Sequence, residues 1–176
     1  MSSKLRQQTE EPTPGPMTVR PYRPADRARI KALTIQGFAG VAVEHAIEQQ
    51  WPGTTTLTWG ERKFLEVDAD LASHPESCFV AERAGDVVGF ITTAMSEVKS
   101  QGHVRDLVID GGLRGRGIGR QLLLHALKVF RQHGVRIARI ETLSQNAVGA
   151  HLYPEVGFRL IATQNHYAMR LDEDGE

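Results

Sequence analysis

Residues 107–130 read LVIDGGLRGRGIGRQLLLHALKVF, and this stretch decides how the rest of the 176-residue chain is organised. It opens on Leu107, Val108 and Ile109, the apolar end of a β-prone run that begins at His103. Glycines follow at 111, 112, 115, 117 and 119, interleaved with Arg114, Arg116 and Arg120. Apolar residues then recur with a helical period, at Ile118, Leu122, Ala126 and Phe130, with Leu123 and Leu127 beside them. A strand therefore runs through a glycine-rich turn straight into an amphipathic helix that ends near His133, before Gly134. Glycine lets an oxygen-rich ligand approach the main chain. The first turn of a helix offers unpaired N–H groups and a partial positive charge. With three arginines around them, these features predict a phosphate cradle.

Two familiar cradles are excluded by spacing. A P-loop needs Gly-Lys before its Ser or Thr, and no Gly-Lys occurs in the chain. The dinucleotide fingerprint needs a third glycine five positions after the first, and counting from Gly115 that position is Arg120. What stands is R-x-x-G-x-G, from Arg114 through Gly115, Arg116, Gly117 and Ile118 to Gly119. Further on comes Asn146-Ala-Val-Gly-Ala-His-Leu-Tyr-Pro-Glu-Val-Gly-Phe158.

The first motif resembles the acyl-CoA pyrophosphate loop of the GNAT superfamily of N-acetyltransferases. The second resembles that superfamily's N-x-x-A-x-x-L-Y-x-x-x-G-F segment, matching at Asn146, Leu152, Tyr153, Gly157 and Phe158, with Gly149 in place of the small alanine. The likeness is strong over 103–158 and little more than layout over 17–77. It implies an α/β fold with a mixed, mostly antiparallel central sheet and helices on both faces. It implies acetyl-CoA as co-substrate and direct transfer of acetyl to a primary amine, of a small molecule or a peptide, in a ternary complex. The alternative is a non-catalytic acyl-CoA sensor on the same fold.

By the same resemblance, the backbone N–H groups of Arg116, Gly117, Ile118, Gly119 and Arg120 hold the CoA pyrophosphate, with charge from Arg114 and Arg116 and room from Gly115. Leu107, Val108 and Ile109 pair through their main chain with the pantetheine arm, and Asn146 contacts that arm. Tyr153 matches the general acid. A phenol suits the task, because the leaving thiolate belongs to a thiol with a pKa near 8.5 and a phenol near 10 can hydrogen-bond it or protonate it late. Packing beside Phe158 is the plainer job for the same ring.

The base is less marked, since the strand before the loop has no Glu. Asp106 and His103 are the ionisable candidates there, with Glu141 on the next strand as a third, and a water chain to any of them would also serve. Alternation puts Asp106 and Val108 on one face and His103 with Arg105 on the other, so His103 and Asp106 share a face only if a bulge intervenes.

Working outward, residues 1–16 are polar and Pro-rich and read as a disordered tail ahead of one domain over 17–172. A strand at 17–22, a helix over 24–38 and two helical pieces within 41–72 precede β-prone runs at 78–83 and 87–94. Beyond the glycine-rich turn and its helix, a strand at 135–142 and a helix at 146–156 lead to a final strand pair, 158–162 and 166–171. The seven His and single Cys show no metal-ligand spacing and no disulfide framework, so no metal is expected.

The 21 basic and 21 acidic residues give zero net charge and no reason to expect a nucleic-acid partner. The charge is segregated, however. Residues 1–36, 37–100, 101–160 and 161–176 carry nets of +4, −6, +5 and −3. The +5 stretch holds the cradle. Glu44, Glu48, Glu61, Glu66, Asp68 and Asp70 in the −6 stretch either attract a cationic acceptor or form a solvated helical face. No apolar run reaches the ~20 residues of a membrane span, and a cytoplasmic protein is the default. The resemblance is compatible with a monomer or a homodimer.

Overall fold

The computed structural model describes residues 15–98 and 100–171. The expected tail up to position 14, and Asp172 at the far end of the expected domain, lie outside these. Strand β1 (Met17–Pro21) leads through one 3-10 turn into helix α1 (Arg27–Phe38), followed by α2 (Val43–Gln50) and α3 (Trp59–Ser73). Strands β2 (Phe79–Arg83), β3 (Asp86–Ser96) and β4 (Gln101–Ile109) come next, then α4 (Ile118–Gln132), β5 (Ile137–Ile140) and α5 (Ala147–Val156).

The five strands lie in chain order in one sheet, antiparallel from β1 to β4 and parallel between β4 and β5. The change of sense follows from the connections. β2 and β3 are joined by Ala84-Gly85, both at positive φ (51° and 88°), as a two-residue hairpin turn of the primed type requires. β4 reaches β5 only by way of α4, a crossover that delivers a parallel neighbour.

Each face of the sheet carries its own core. On one, Leu122, Leu123, Ala126 and Phe130 of α4 pack on Phe79, Ala81, Ile91 and Val104. On the other, Ile30 and Leu33 of α1 and Phe64, Val67 and Leu71 of α3 pack on Val80, Phe90 and Val108. The central strands are buried on both sides, so their apolar residues run on instead of alternating with polar ones. Helix α3 starts where Thr58 and Glu61 cap each other: Glu61 N–H donates to Thr58 Oγ1 at 3.3 Å, and Thr58 N–H to Glu61 Oε2 at 3.0 Å.

The sequence expectation holds for the helices and for β1 to β4. It fails at the C-terminal end, where residues 158–171 form neither of the two expected strands. A strand exists only against a partner edge; Phe158 packs against the α4-side core, but the segment pairs with no strand, and Leu160, Ile161 and Tyr167 are almost fully exposed. β5 is also shorter than the run 135–142 suggests.

Gly102 on β4 marks the tightest strand-to-helix approach. A Cβ there would lie 2.5–2.8 Å from the ring of Phe130, which is itself 2% exposed. Overpacking of this kind costs about 1–3 kcal/mol. Gly102→Ala is therefore expected to lower Tm by roughly 3–10 °C for a domain of this size, as read by calorimetry; an unchanged Tm would show that the ring has room to yield.

Candidate active site

The site begins where two strands part. The β4/β5 ladder runs from Gln101 opposite Ile137 to Val104 opposite Ile140 and stops there, while β4 continues to Ile109 against β3 alone. Beyond Val104 the β5-facing edge of β4, including Leu107, Val108 and Ile109, has no strand partner among the described residues. Main-chain donors and acceptors along such an edge are available to an extended ligand.

At the end of β4 the chain turns sharply. Asp110 Oδ1 accepts from Gly112 N–H at 3.0 Å, and Asp110 Oδ2 pairs with Arg29 Nη2 at 2.5 Å. The Gly112 hydrogen bond and then Arg29 hold the Asp110 carboxyl below its usual range. The turn is thereby tied to α1. Gly115 (φ 74°) and Gly117 (φ 77°) both lie in the left-handed region, where a side chain is strained, and Gly117 is the N-cap of α4. Because Gly117 has no side chain, the first N–H groups of α4, at Ile118, Gly119 and Arg120, receive no cap from it. Arg114, Arg116 and Arg120 are exposed around them. This local geometry fits an anion without rearrangement.

Tyr153 comes from α5, on the far side of the parting strands. Asn146 caps that helix: its Oδ1 accepts from Gly149 N–H at 3.2 Å and its Nδ2 donates to Thr142 Oγ1 at 2.8 Å. The helix ends at Gly157 (φ 109°), and Phe158 N–H returns to Tyr153 O at 3.0 Å. The Tyr153 ring meets Phe158 edge-on at 6.2 Å. Burial, and then the negative charge of Asp106, push its phenol up to about 12. Tyr153 is therefore a protonated donor at any working pH. Gly149 is buried against it: a Cβ at 149 would come within 2.9 Å of Tyr153 Cε2.

The bulge is present. The β3/β4 register steps from Thr92 opposite Asp106 to Thr93 opposite Val104, leaving Arg105 as the extra residue. Gly102 and Val104 consequently face α4, and His103 turns to the same face as Asp106 and Val108, toward α3. Asp106 is 3% exposed, and Thr92 Oγ1 donates to its Oδ2 at 2.9 Å. Its Oδ1 lies 2.9 Å from Lys63 Nζ in an ion pair without an aligned hydrogen bond. Lys63 also pairs with Glu66 at 2.8 Å and lies over the Phe38 ring. Burial pulls the Lys63 ammonium down, but Asp106 and Glu66 outweigh it and leave the group above its ordinary value. A carboxylate engaged at both oxygens and shut from solvent is a poor acceptor for an incoming substrate's proton.

His103 is more open. Its Nε2 lies 3.6 Å from Glu141 Oε1, at the last rungs of the β4/β5 ladder. Burial lowers the imidazole pKa more than Glu141 raises it, so the ring is a neutral base at pH 7.

The acidic stretch is engaged internally. Glu44 and Glu48 both hold Arg62 (2.8 and 3.2 Å), Asp68 holds Arg27 (2.6 Å), and Asp70, itself buried, holds Arg105 (2.8 Å). Glu61 caps α3 and Glu66 pairs with Lys63. These residues brace α2 and α3 rather than form an open anionic funnel. Lys63, Arg105 and Gly149 were not singled out as site residues from the sequence, and only Gly149 had a visible signal, its place in the N…LY…GF motif. Among the described residues no three or more His, Cys, Asp or Glu side chains cluster as metal ligands would, and no helix is long and apolar enough to cross a membrane.

An open strand edge, a glycine turn at a helix start and a half-buried tyrosine are the parts of this site. Residues 41–158 match the model of the Acetyltransferase (GNAT) family, and the chain belongs to that family. Among its relatives, streptothricin acetyltransferase of Streptomyces lavendulae is 31% identical over 99 residues, 56% of this chain and 52% of the relative. Mycothiol acetyltransferase of Streptomyces bingchenggensis is 30% identical over 155 residues, 88% of this chain and 46% of the relative. The chain thus spans about half the length of these curated relatives. In fold it is similar to the PaiA N-acetyltransferase of Thermoplasma acidophilum in complex with coenzyme A, with a TM-score of 0.69 at 19% identity over 85% of this chain and 93% of the other.

Removing one partner of a buried ion pair leaves an uncompensated charge and typically costs about 3–5 kcal/mol. Asp106→Ala should therefore lower the urea midpoint strongly at unchanged m. Asp106→Asn, which keeps an oxygen for Thr92, should lose less. Equal, small losses in both would show that Lys63 finds water or Glu66 sufficient.

Proposed function

We propose that this protein transfers acetyl from acetyl-CoA directly to a primary amine, of a small molecule or a peptide, within a ternary complex. The observation that carries the proposal is the end of the β4/β5 ladder at Val104 and Ile140, which opens β4 as it leads into the glycine turn. In this scheme Leu107, Val108 and Ile109 pair through their main chain with the pantetheine arm. Gly115, Gly117 and Gly119 give the pyrophosphate close approach to the N–H groups of Arg116 to Arg120, with Arg114, Arg116 and Arg120 supplying charge. Asn146 serves the arm's binding side and, as the α5 cap, fixes Tyr153.

The amine nitrogen attacks the thioester carbonyl, the C–S bond breaks, and Tyr153 hydrogen-bonds or protonates the departing thiolate. The acceptor's proton passes to His103, with Glu141 beside it. Asp106 acts from behind, holding Lys63 and keeping the phenol protonated. The relatives' names as acetyltransferases favour turnover over a non-catalytic acyl-CoA sensor. A cytoplasmic location, with acetyl-CoA at hand and no nucleic-acid partner, goes with this reading.

Acetyl-CoA at millimolar concentration should raise Tm by several degrees through binding linkage. Gly117→Val should abolish the shift, because valine is strained at φ 77°. Absence of a shift in the wild type would overturn the proposal. In the pH profile, kcat/KM should fall as pH drops through the lowered pKa of His103, below 6.5. His103→Gln should lose that inflection and about a hundredfold in rate. Glu141→Gln, by removing the anion that raises the imidazole, should move the inflection lower still; an inflection indifferent to both would exclude His103 as the base.

A further inference from the structure

Asp110 is the joint between the two stretches proposed to hold acetyl-CoA: the open edge of β4 ends at Ile109, and the glycine turn begins at Gly111. Its main-chain N–H donates to Val88 O at 2.8 Å and its Oδ1 accepts from Gly112 N–H, which leaves Oδ2 for Arg29. Arg29 reaches it from α1 and uses two of its nitrogens: Nη2 donates to Asp110 Oδ2 at 2.5 Å, and Nε donates to Val87 O at 3.0 Å. One side chain thus joins α1 to the start of β3 and to the turn, 58 and 81 residues away in sequence. Packing does not duplicate this clasp. Leu113 fixes the far end of the turn against the α4-side core. On the α1 side the turn borders an open cavity of about 770 Å³, whose lining includes Ala25, Arg29, Val87, Asp110 and Gly112.

We propose that Arg29 is a positioning residue for acetyl-CoA: by clasping Asp110 and Val87 it fixes the glycine turn relative to the open edge of β4 before the ligand arrives. This rests on the acetyl-CoA site proposed above. Glycine loses more backbone freedom on ordering than any other residue, and the turn has four of them at 111, 112, 115 and 117. Whatever orders such a segment in advance removes that cost from binding and appears in the affinity. Arg29 acts through Asp110 and not by contact with the ligand. A second way for an arginine to favour an anion is by its charge alone, and the two differ in sign at Asp110. If only charge matters, the Asp110 carboxylate repels the pyrophosphate and its neutralisation strengthens binding. If the clasp matters, neutralising Asp110 loosens the turn and weakens binding.

The test is calorimetric titration of the full chain with acetyl-CoA. Arg29→Ala and Asp110→Asn, the latter keeping an oxygen for Gly112 N–H, should each raise Kd about fivefold. The double variant should also lose about fivefold, because both changes open the same clasp. Arg29→Lys, with one donor group in place of a fork, should fall between wild type and alanine. Arg29 is exposed, so Tm without ligand should stay within about 2 °C of wild type, which separates lost affinity from lost fold. Amide exchange at Gly111 to Gly115 should quicken in ligand-free Arg29→Ala. Tighter binding by Asp110→Asn would show that Arg29 works by charge alone and would overturn its positioning role. Losses that multiply in the double variant, or an Arg29→Ala protein that binds like the wild type, would overturn it as well. A wild type that does not bind acetyl-CoA at all would instead overturn the site itself, and the role of Arg29 with it.

Discussion

One extra residue in β4 governs the arrangement of the cleft. With Arg105 bulged between Asp106 and Val104, the strand keeps Val104 in the α4 core while turning both His103 and Asp106 toward α3. A regular strand would give one or the other. The bulge also directs Arg105 to Asp70 on α3, so the same irregularity that re-aims the ionisable residues is pinned to the helix that covers them. His103 sits on the next-to-last rung of the parallel ladder, opposite Arg139, and the cleft opens beyond the last, Val104 opposite Ile140.

Charge behind the cleft is arranged by burial. Asp106 alone would be expensive at 3% exposure; Lys63 makes it tolerable, and Glu66 in turn shares the ammonium. Burial raises the Tyr153 phenol, and the Asp106 anion raises it further. Burial moves His103 the other way, downward, against the raising effect of Glu141. The two groups proposed as acid and base thus have their proton affinities pushed apart by their surroundings, the usual basis for dividing such duties.

The tyrosine owes its place to the short helix that carries it. Asn146 closes the N-terminal end of α5 and Gly157 the C-terminal end, while buried Gly149 leaves space only for the ring as it stands. A Cβ at 149 would also lie 3.1 Å from Thr142 Oγ1, so the glycine lets α5 lie close to the segment that follows β5.

The local elements were legible in the sequence because they depend on local physics. Helical periodicity marked α4, left-handed glycines marked the turn at 115–117, and a capping asparagine with a closing glycine marked α5. The two motifs in their order also carried the family and the sheet's mixed character. Pairing decided the rest. Alternation placed His103 and Asp106 on opposite faces, and only the β3 register, residue against residue, inserted the bulge that reunites them. The acidic stretch read equally as a funnel or a solvated face until its arginine and lysine partners, from 3 to 41 residues away in sequence, came into contact. The β-prone runs at 158–162 and 166–171 record a capacity to form strands. They do not record an edge, because a strand's hydrogen bonds belong to its neighbour and only the tertiary structure chooses that neighbour.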